Sequence, residues 1–277
     1  MELEVTESVN SLARAEFITL QIAAGIFLLG ALFSLAHWFT QNRRLGTASW
    51  IICLIATLVL TATLVIRYMN VGHVPYVKLY ETFMFMGWAI AVVAVFSDHL
   101  IKTRVPSTIA SVLTGLTLVY IIQWPETARE GGRLVAALQS PWLDAHIATA
   151  FLSYAGFAIS AGASVFYLFS PNPKYDDLAY RLVAFAFPLL ALGIILGAVW
   201  ANDAWGRYWG WDPKETAALV TWLVYAAYLH VKMVFGWKGR KAAWLNILGF
   251  VCVLFTWIGL NILSKFIETT SLHSYTG

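Results

Sequence analysis

Charged residues are scarce in this sequence, and their scarcity excludes most classes of soluble protein. Only 12% of the 277 residues are Asp, Glu, Lys or Arg, about half of the roughly 25% that is usual in soluble domains. The hydrophobic share of 60% and the mean hydropathy of +0.70 also exclude a disordered chain. The net charge of +3 is small and scattered, so it indicates no nucleic-acid partner. The composition predicts an integral membrane protein surrounded by the lipid bilayer.

Cysteine is nearly absent, and this limits the chemistry that the chain can perform alone. The two cysteines, Cys53 and Cys252, both fall in long apolar segments, and no Cys-x-x-Cys pair occurs. We interpret them as small packing residues rather than as a disulfide or a metal pair. Any thiol chemistry must therefore come from another protein.

Eight charge-free windows predict where the chain crosses the membrane. They are 17–42, 45–66, 82–97, 105–125, 145–173, 182–202, 216–231 and 242–264. Six reach the length of about 20 residues that a spanning helix needs, and snorkelling Lys or Arg can extend the two that have 16. Lipid offers no hydrogen-bond partners, so the backbone N–H and C=O groups must bond to one another within the chain. The spans must therefore be helical. The predicted fold is an all-α, polytopic membrane helix bundle of about eight transmembrane helices, in a single domain over 1–277.

Alternate connectors differ in their density of Lys and Arg, which predicts the orientation. One set, at 43–44, 98–104, 174–181 and 232–241, carries 10 Lys or Arg in 27 residues, and the remaining set carries 8 in 76. Connectors rich in positive charge usually face the cytoplasm. Both termini are therefore predicted on the outer side.

Residues 200–216 form a predicted outer loop with four of the 13 tryptophans: Trp200, Trp205, Trp209 and Trp211. Aromatic rings beside Arg207 and Lys214 suit a flat, largely apolar ligand with anionic groups. An interfacial aromatic belt is the plainer alternative and stays open at this point.

The end of this loop also carries a helix-start pattern. Asp212 suits an N-cap, Pro213 the first helical position, and Glu215 the third position of a capping box. Asp212 and Glu215 are therefore predicted to end the loop and begin the next helix, a role that requires no ligand contact.

Three of the six histidines stand out by their position. His146 follows a Ser140-Pro141 helix-start signal near the outer beginning of its window, and His273 lies in the outer tail. His230 is 18 residues past Asp212, about 27 Å along a helix, near the inner leaflet. Taken alone, each also fits an interfacial or packed histidine, and His230 fits a proton relay.

Four separated segments resemble one known family. They are VWANDAWGRYWGWDPKETAALVTWLVYAAYLHVK at 199–232, Gly72-His73 to Leu79-Tyr80-Glu81, Trp142 to His146 with Ser153-Tyr154, and Leu272-His273-Ser274-Tyr275. Together they resemble the tryptophan-rich WWD haem-handling proteins of cytochrome c maturation, in the CcsA/ResC type of System II.

The resemblance implies a function and assigns the candidate residues. The chain would move haem b to the outer face and present it for covalent attachment to the Cys-x-x-Cys-His segment of an apocytochrome c. It would act with a CcsB/ResB membrane partner as a subunit of a holocytochrome c synthase. The membrane would be a bacterial cytoplasmic or a thylakoid membrane, with the site on the periplasmic or lumenal side.

The same resemblance makes His146 and His273 the axial ligands of an outer haem, and His230 the ligand of an intramembrane haem. The remaining candidate contacts to haem are Trp200, Trp205, Arg207, Trp209, Trp211 and Asp212. His37, His73 and His99 are left unassigned.

Two alternative functions remain. One is a resident b-type electron-transfer cytochrome, although such proteins usually bury paired histidines inside the bundle. The other is a haem-free, proton-coupled transporter in which His230 relays protons and the tryptophans form a belt.

Overall fold

The computed structural model describes residues 2–101, 103–131 and 134–267, with side chains described from 11 to 263. Within these ranges all regular structure is helical, which confirms the predicted fold class. The helices are α1 Glu2–Thr40, α2 Arg43–Val71, α3 Leu79–Ile101, α4 Val105–Ile122, α5 Glu126–Arg129, α6 Pro141–Phe169, α7 Pro173–Trp205, α8 Pro213–Met233, α9 Arg240–Leu254 and α10 Leu260–Ile267. A 3-10 turn covers Ala136–Leu138, and a wider π turn over Phe255–Gly259 joins α9 to α10.

Seven helical stretches in the described residues are long and apolar enough to cross a membrane. They are Ser11–Thr40, Arg43–Val71, Leu79–Ile101, Val105–Ile122, Pro141–Phe169, Pro173–Trp205 and Arg240–Leu263. The eighth predicted window, 216–231, is helical within α8, but α8 is not among the seven. Its 21 residues are long enough to span, whereas Lys214, Glu215, His230 and Lys232 make it more polar. The number of spans and the side of the termini stay predictions.

The chain divides into two compact units, one ending at Leu134 and the other beginning at Val135. In the N-terminal unit, α1 packs against α2 and α4, and α3 packs against α2 and α4. In the C-terminal unit, α6 packs against α7 and α9, and α8 packs against α7 and α9. The single domain over 1–277 stays a prediction.

A buried arginine joins three helices of the N-terminal unit. Arg67 of α2 is 1% exposed and contacts both Glu81 of α3, at 2.8 Å, and Glu16 of α1, at 3.4 Å. The second oxygen of Glu81 accepts the backbone N–H groups of Val77 and Lys78 at 2.8 and 3.1 Å. The carboxylate thus joins α2 to the loop that precedes α3.

Another buried carboxylate organises the connector between α3 and α4. Asp98 is fully buried and accepts the N–H groups of Arg104 at 2.7 Å and Ser107 at 2.9 Å. The hydroxyl of Ser107 also donates to it. These bonds satisfy amides at the start of α4 that have no partner within the helix.

Polar contacts inside the C-terminal unit join its helices in pairs. The Ser160 hydroxyl of α6 donates to the Ala179 carbonyl of α7 and accepts from Asn246 of α9. Lys232 of α8 forms a half-buried ion pair with Asp176 of α7 at 2.8 Å. Such bonds are retained in a membrane because lipid offers no alternative partner.

The buried position of Arg67 predicts a large loss of stability when it is replaced. Arg67→Met leaves the carboxylates of Glu16 and Glu81 buried without their cation, and we expect it to lower the free energy of unfolding by about 3–5 kcal/mol. Arg181→Met is the matched control, because Arg181 pairs with Asp177 at the same 2.8 Å but in an exposed i, i+4 position. There we expect a change below about 1 kcal/mol. Denaturant unfolding in detergent micelles measures both, and equal losses would contradict a buried role for Arg67.

Candidate functional site

The predicted helix start at Ser140-Pro141 is confirmed, and it places His146 in the second turn of α6. The imidazole lies against α7, where its Nδ1 is 2.7 Å from the carbonyl oxygen of Gly193. A carbonyl can only accept, so Nδ1 carries the proton in this contact. The neutral ring then has its lone pair on Nε2, which is the form that binds a metal.

The last turns of α7 carry two tryptophans, Trp200 and Trp205, beyond the position that faces this histidine. Trp200 lies three residues after Gly197, whose Cα faces the His146 ring, so the two positions share a face of α7. Trp200 is 4% exposed and donates its indole N–H to the Ala137 carbonyl at 2.8 Å. Its ring packs edge-on against Trp205, with centroids 4.7 Å apart. Trp200 thus anchors the end of α7, and Trp205 is the more accessible ring of the pair.

The chain leaves α7 through a left-handed glycine. Gly206 has φ +72° and closes the helix by donating its N–H to the Asn202 carbonyl at 2.8 Å. Only glycine adopts this conformation without strain. The chain therefore turns sharply after Trp205 into the tryptophan-rich loop.

Glu215 controls the second half of the loop. The predicted capping box is confirmed, with Asp212 at the N-cap of α8 and Glu215 bonded back to the N–H of Asp212 at 3.1 Å. The same oxygen of Glu215 also accepts the N–H of Gly210 at 2.8 Å, which the sequence pattern did not predict. One carboxylate oxygen therefore binds the amides on both sides of Trp211.

Trp211 occupies an unusual backbone conformation between these two amides. Its φ is +57°, in the left-handed region that bulky residues rarely adopt. Its side chain is 70% exposed and meets Trp209 edge-on, with ring centroids 5.7 Å apart. The bonds to Glu215 hold this strained conformation, so the indole of Trp211 is presented at the surface of the C-terminal unit.

Two further residues complete the exposed surface of the loop. The guanidinium of Arg207 covers Gly210 so closely that a Cβ there would lie 2.9 Å from Cζ. Tyr208 is 60% exposed and was not among the predicted site residues. Its position three residues past the end of α7 could have indicated this exposure, because Tyr208 lies within the same aromatic run. The loop thus offers accessible rings beside a cation.

Lys214 lies beside this loop, before the predicted span 216–231. Burial of its ammonium group lowers its pKa to about 8, although the carboxylate of Asp212 acts in the opposite direction. The first turn of α8 therefore carries a lysine that changes charge near neutral pH.

The structure separates His230 from the tryptophan loop. It lies in the last turn of α8, 17 residues past Pro213, about 26 Å along the helix. The side chain is exposed, and Phe235 packs edge-on against it at 5.4 Å. The third predicted ligand, His273, lies outside the described residues. No group of three or more His, Cys, Asp or Glu that could hold a metal ion occurs in the part of the chain with described side chains.

The structure also describes the two cysteines and the three histidines that were left unassigned. Cys53 and Cys252 are both free thiols within helices, as predicted. His37 bonds the Asn42 carbonyl at 2.9 Å, His73 contacts the Val74 carbonyl at 3.0 Å, and His99 stacks on Trp50.

The contact between Glu215 and the two amides predicts the local order of the loop. Glu215→Ala removes the acceptor of the Gly210 and Asp212 N–H groups, and a bond to a charged acceptor contributes about 1.5–3 kcal/mol. We expect hydrogen exchange of these two amides to accelerate by roughly 10- to 100-fold, measured by mass spectrometry of peptides covering 206–212. Glu215→Gln keeps an acceptor oxygen and should stay near the wild-type rate. Equal acceleration in both variants would show that charge, and not the two bonds, holds the loop.

The lowered pKa of Lys214 predicts a pH dependence of stability. The unfolded chain binds more protons than the folded chain between pH 8 and 10.5, so stability should rise with pH across this interval. Lys214→Met should abolish that rise, as measured by denaturant unfolding at pH 7, 8, 9 and 10. Lys174→Met is the matched control, because Lys174 is exposed and also follows a proline at the start of its helix. A rise that persists in Lys214→Met would contradict the assignment.

The sequence of this chain is similar to those of known proteins. Residues 76–268 match the sequence model of the family described as cytochrome c assembly protein. The chain is 33% identical to the cytochrome c biogenesis protein CcsA of Prochlorococcus marinus strain MIT 9303, over 93% of each chain. It is 34% identical to CcsA of Guillardia theta, over 94% of this chain and 93% of that one. For CcsA of Chlamydomonas reinhardtii the identity is 36%, over 80% of this chain and 66% of the relative.

The first two of these relatives match over nearly the whole chain, and the seven apolar helical stretches fit an integral membrane protein. The chain therefore belongs to the cytochrome c assembly protein family, in its CcsA type.

Proposed function

We propose that this chain handles haem b for cytochrome c biogenesis, presenting it at the outer face of the membrane for attachment to apocytochrome c. The observation that carries the proposal is the contact of His146 with Gly193, which sets Nε2 as the acceptor nitrogen of a neutral imidazole. A neutral imidazole with an oriented ring is a ligand suited to haem iron. The Nε2 atom of His146 is therefore a donor nitrogen that suits haem iron.

The loop supports the same function through its exposed surface. Trp209 and Trp211 offer aromatic faces and edges, and Arg207 places a cation among them. A porphyrin is flat and apolar but carries two carboxylates, so rings and a guanidinium are complementary to it. Asp212 contributes through the helix start, where its carboxylate accepts the N–H of Lys214 at 2.8 Å. Trp200 supports Trp205 from the interior.

His273 would supply the second axial ligand from the outer tail. Haem would supply the iron that the two histidines bind, and it also carries two vinyl groups. The thiols of a Cys-x-x-Cys-His segment would add across these vinyl groups, so that sulfur bonds to one carbon and the proton to the other. The residues of this chain orient the haem and limit the directions from which another molecule can reach it. Holding two reactants in a productive geometry can contribute about 7–11 kcal/mol to the lowering of a barrier.

An exposed stripe along α8 supports the requirement for a membrane partner of the CcsB/ResB type. Exposed positions recur at helical spacing at Val220, Leu223, Ala227, His230 and Val234. His230 is thus the one titratable side chain on an otherwise apolar face, open to a neighbouring chain in the bilayer. A histidine there can share haem with a ligand from the partner, in a bacterial cytoplasmic or a thylakoid membrane.

The position of His230 bears on the alternative of a proton-coupled transporter. A relay through this unit would use the buried face of α8, which carries Thr221, Tyr225 and Tyr228 at 0–1% exposure. His230 lies on the opposite, exposed face. A resident b-type cytochrome would keep its haem and turn over with quinol, whereas this proposal requires haem to leave with apocytochrome c.

The axial ligation is tested by the optical spectrum of the reduced complex. We expect His146→Gly and His273→Gly each to lose the low-spin absorption of bis-histidine haem b in the chain purified with its membrane partner. Added imidazole should restore it, because the free ligand can enter the space that glycine leaves. His99→Gly is the control, since His99 stacks on Trp50 in the N-terminal unit.

An unchanged bis-histidine spectrum in both variants would overturn the assignment of the ligands. Protein purified without colour from haem-replete cells would overturn the haem function itself and favour the transporter.

A further inference from the structure

A glycine of α7 determines where the imidazole of His146 can lie. Gly193 and Gly197 are one turn apart and both face α6. A Cβ on Gly197 would lie 2.8 Å from Nδ1 and 2.9 Å from Cε1 of His146, and real Cβ atoms essentially never approach another atom this closely. The ring therefore occupies the space that any side chain at position 197 would need.

Gly193 plays a different part in the same contact. A Cβ there would meet the backbone nitrogen of Ala150 and the hydroxyl of Thr149 at 3.4 Å, at the limit of ordinary van der Waals contact. Its contribution is the carbonyl oxygen that accepts Nδ1–H of His146 at 2.7 Å. Every residue type keeps this carbonyl, whereas only glycine at position 197 leaves room for the ring.

We propose that Gly197 is the positioning residue for His146. By admitting the imidazole against α7, it keeps Nδ1–H on the Gly193 carbonyl and so makes Nε2 the nitrogen that binds iron. This inference rests on the proposed function and deepens it. It makes Gly197, a residue outside the set of proposed haem contacts, responsible for the tautomer and orientation of the His146 ligand.

Two physical considerations separate this role from simple helix packing. Alanine favours a helix more than glycine does, so the stability of α7 alone does not explain glycine at position 197. The three atoms nearest to a Cβ on residue 197 would all belong to the His146 ring, at 2.8–3.4 Å. Hydrogen bonds that orient a ligating imidazole typically change metal affinity 10- to 100-fold.

The tautomer can be measured without haem. The full chain is labelled with 15N at histidine only, prepared haem-free, and studied at a pH where imidazole is neutral, with His146 assigned by its loss in His146→Gly. We expect a protonated Nδ1 and an unprotonated Nε2 in wild type and in Gly25→Ala, where a Cβ meets nothing within 4 Å. In Gly197→Ala the ring is displaced, and we expect the signal to move toward the Nε2–H tautomer that free histidine prefers.

Haem binding supplies the second measurement. Gly197→Ala should lower the affinity for added haem b about 10- to 100-fold in the purified complex, with partial recovery of the low-spin spectrum on addition of imidazole. Gly25→Ala is the control and should bind haem as wild type does, because a Cβ on this glycine of α1 meets nothing within 4 Å.

A double-mutant cycle distinguishes positioning from packing. If Gly197 matters through the His146 ring, Gly197→Ala should raise the melting temperature in the His146→Gly background, where the ring is gone. The same loss of melting temperature in both backgrounds would overturn the proposal, as would a wild-type tautomer and haem affinity in Gly197→Ala. Failure of the haem function gives a different pattern: His146→Gly leaves the haem spectrum unchanged, while the tautomer still shifts in Gly197→Ala.

Discussion

A carboxylate that accepts two backbone amides is the interaction on which the ordered connectors of this chain depend. Glu81 binds the amides of Val77 and Lys78 before α3, Asp98 binds those of Arg104 and Ser107 at the start of α4, and Glu215 binds those of Gly210 and Asp212 before α8. Each carboxylate is buried or half-buried. Helix ends leave amides without partners, and in or near lipid the chain itself must provide the acceptors. A few acidic residues, three to nine positions from the amides they bind, therefore decide the shape of these loops.

At the candidate site the same interaction does more than satisfy amides. The two bonds to Glu215 bracket Trp211 and hold it at a positive φ that an indole-bearing residue would otherwise avoid. The exposed ring is thus the result of a rigid backbone and not of a mobile loop. His146 is held in an analogous way: the Gly193 carbonyl of α7 accepts its Nδ1–H, and the absence of a side chain at Gly197 leaves room for the ring. The proposed ligand and the aromatic surface are both preorganised by groups that need not touch haem themselves.

The parts of the site that were predictable from sequence are those with local signals. The helix start at Ser140-Pro141 and the capping box of Asp212 and Glu215 follow from the chemistry of three or four consecutive residues, and the structure confirms both. The bond from Gly210 to Glu215 was missed because it depends on how the loop bends back between them. The requirement for Gly197 was missed for a stronger reason, since it comes from a ring 51 positions earlier in the chain, on a different helix.

Lipid acts on every residue of a span alike, so composition and the length of charge-free windows were enough to determine that this chain is an all-α membrane protein and where its helices lie. The resemblance in four segments was enough to indicate its family. Sequence alone did not decide which side chains face outward, because α8 carries polar and apolar residues on both faces. Only the packing of α8 against α7 and α9 buried Tyr225 and Tyr228 and left His230 exposed. In the same way, only the close approach of α6 to α7 placed the His146 imidazole on the Gly193 carbonyl, because a tautomer is determined by a neighbour in space and not by the neighbours in the chain.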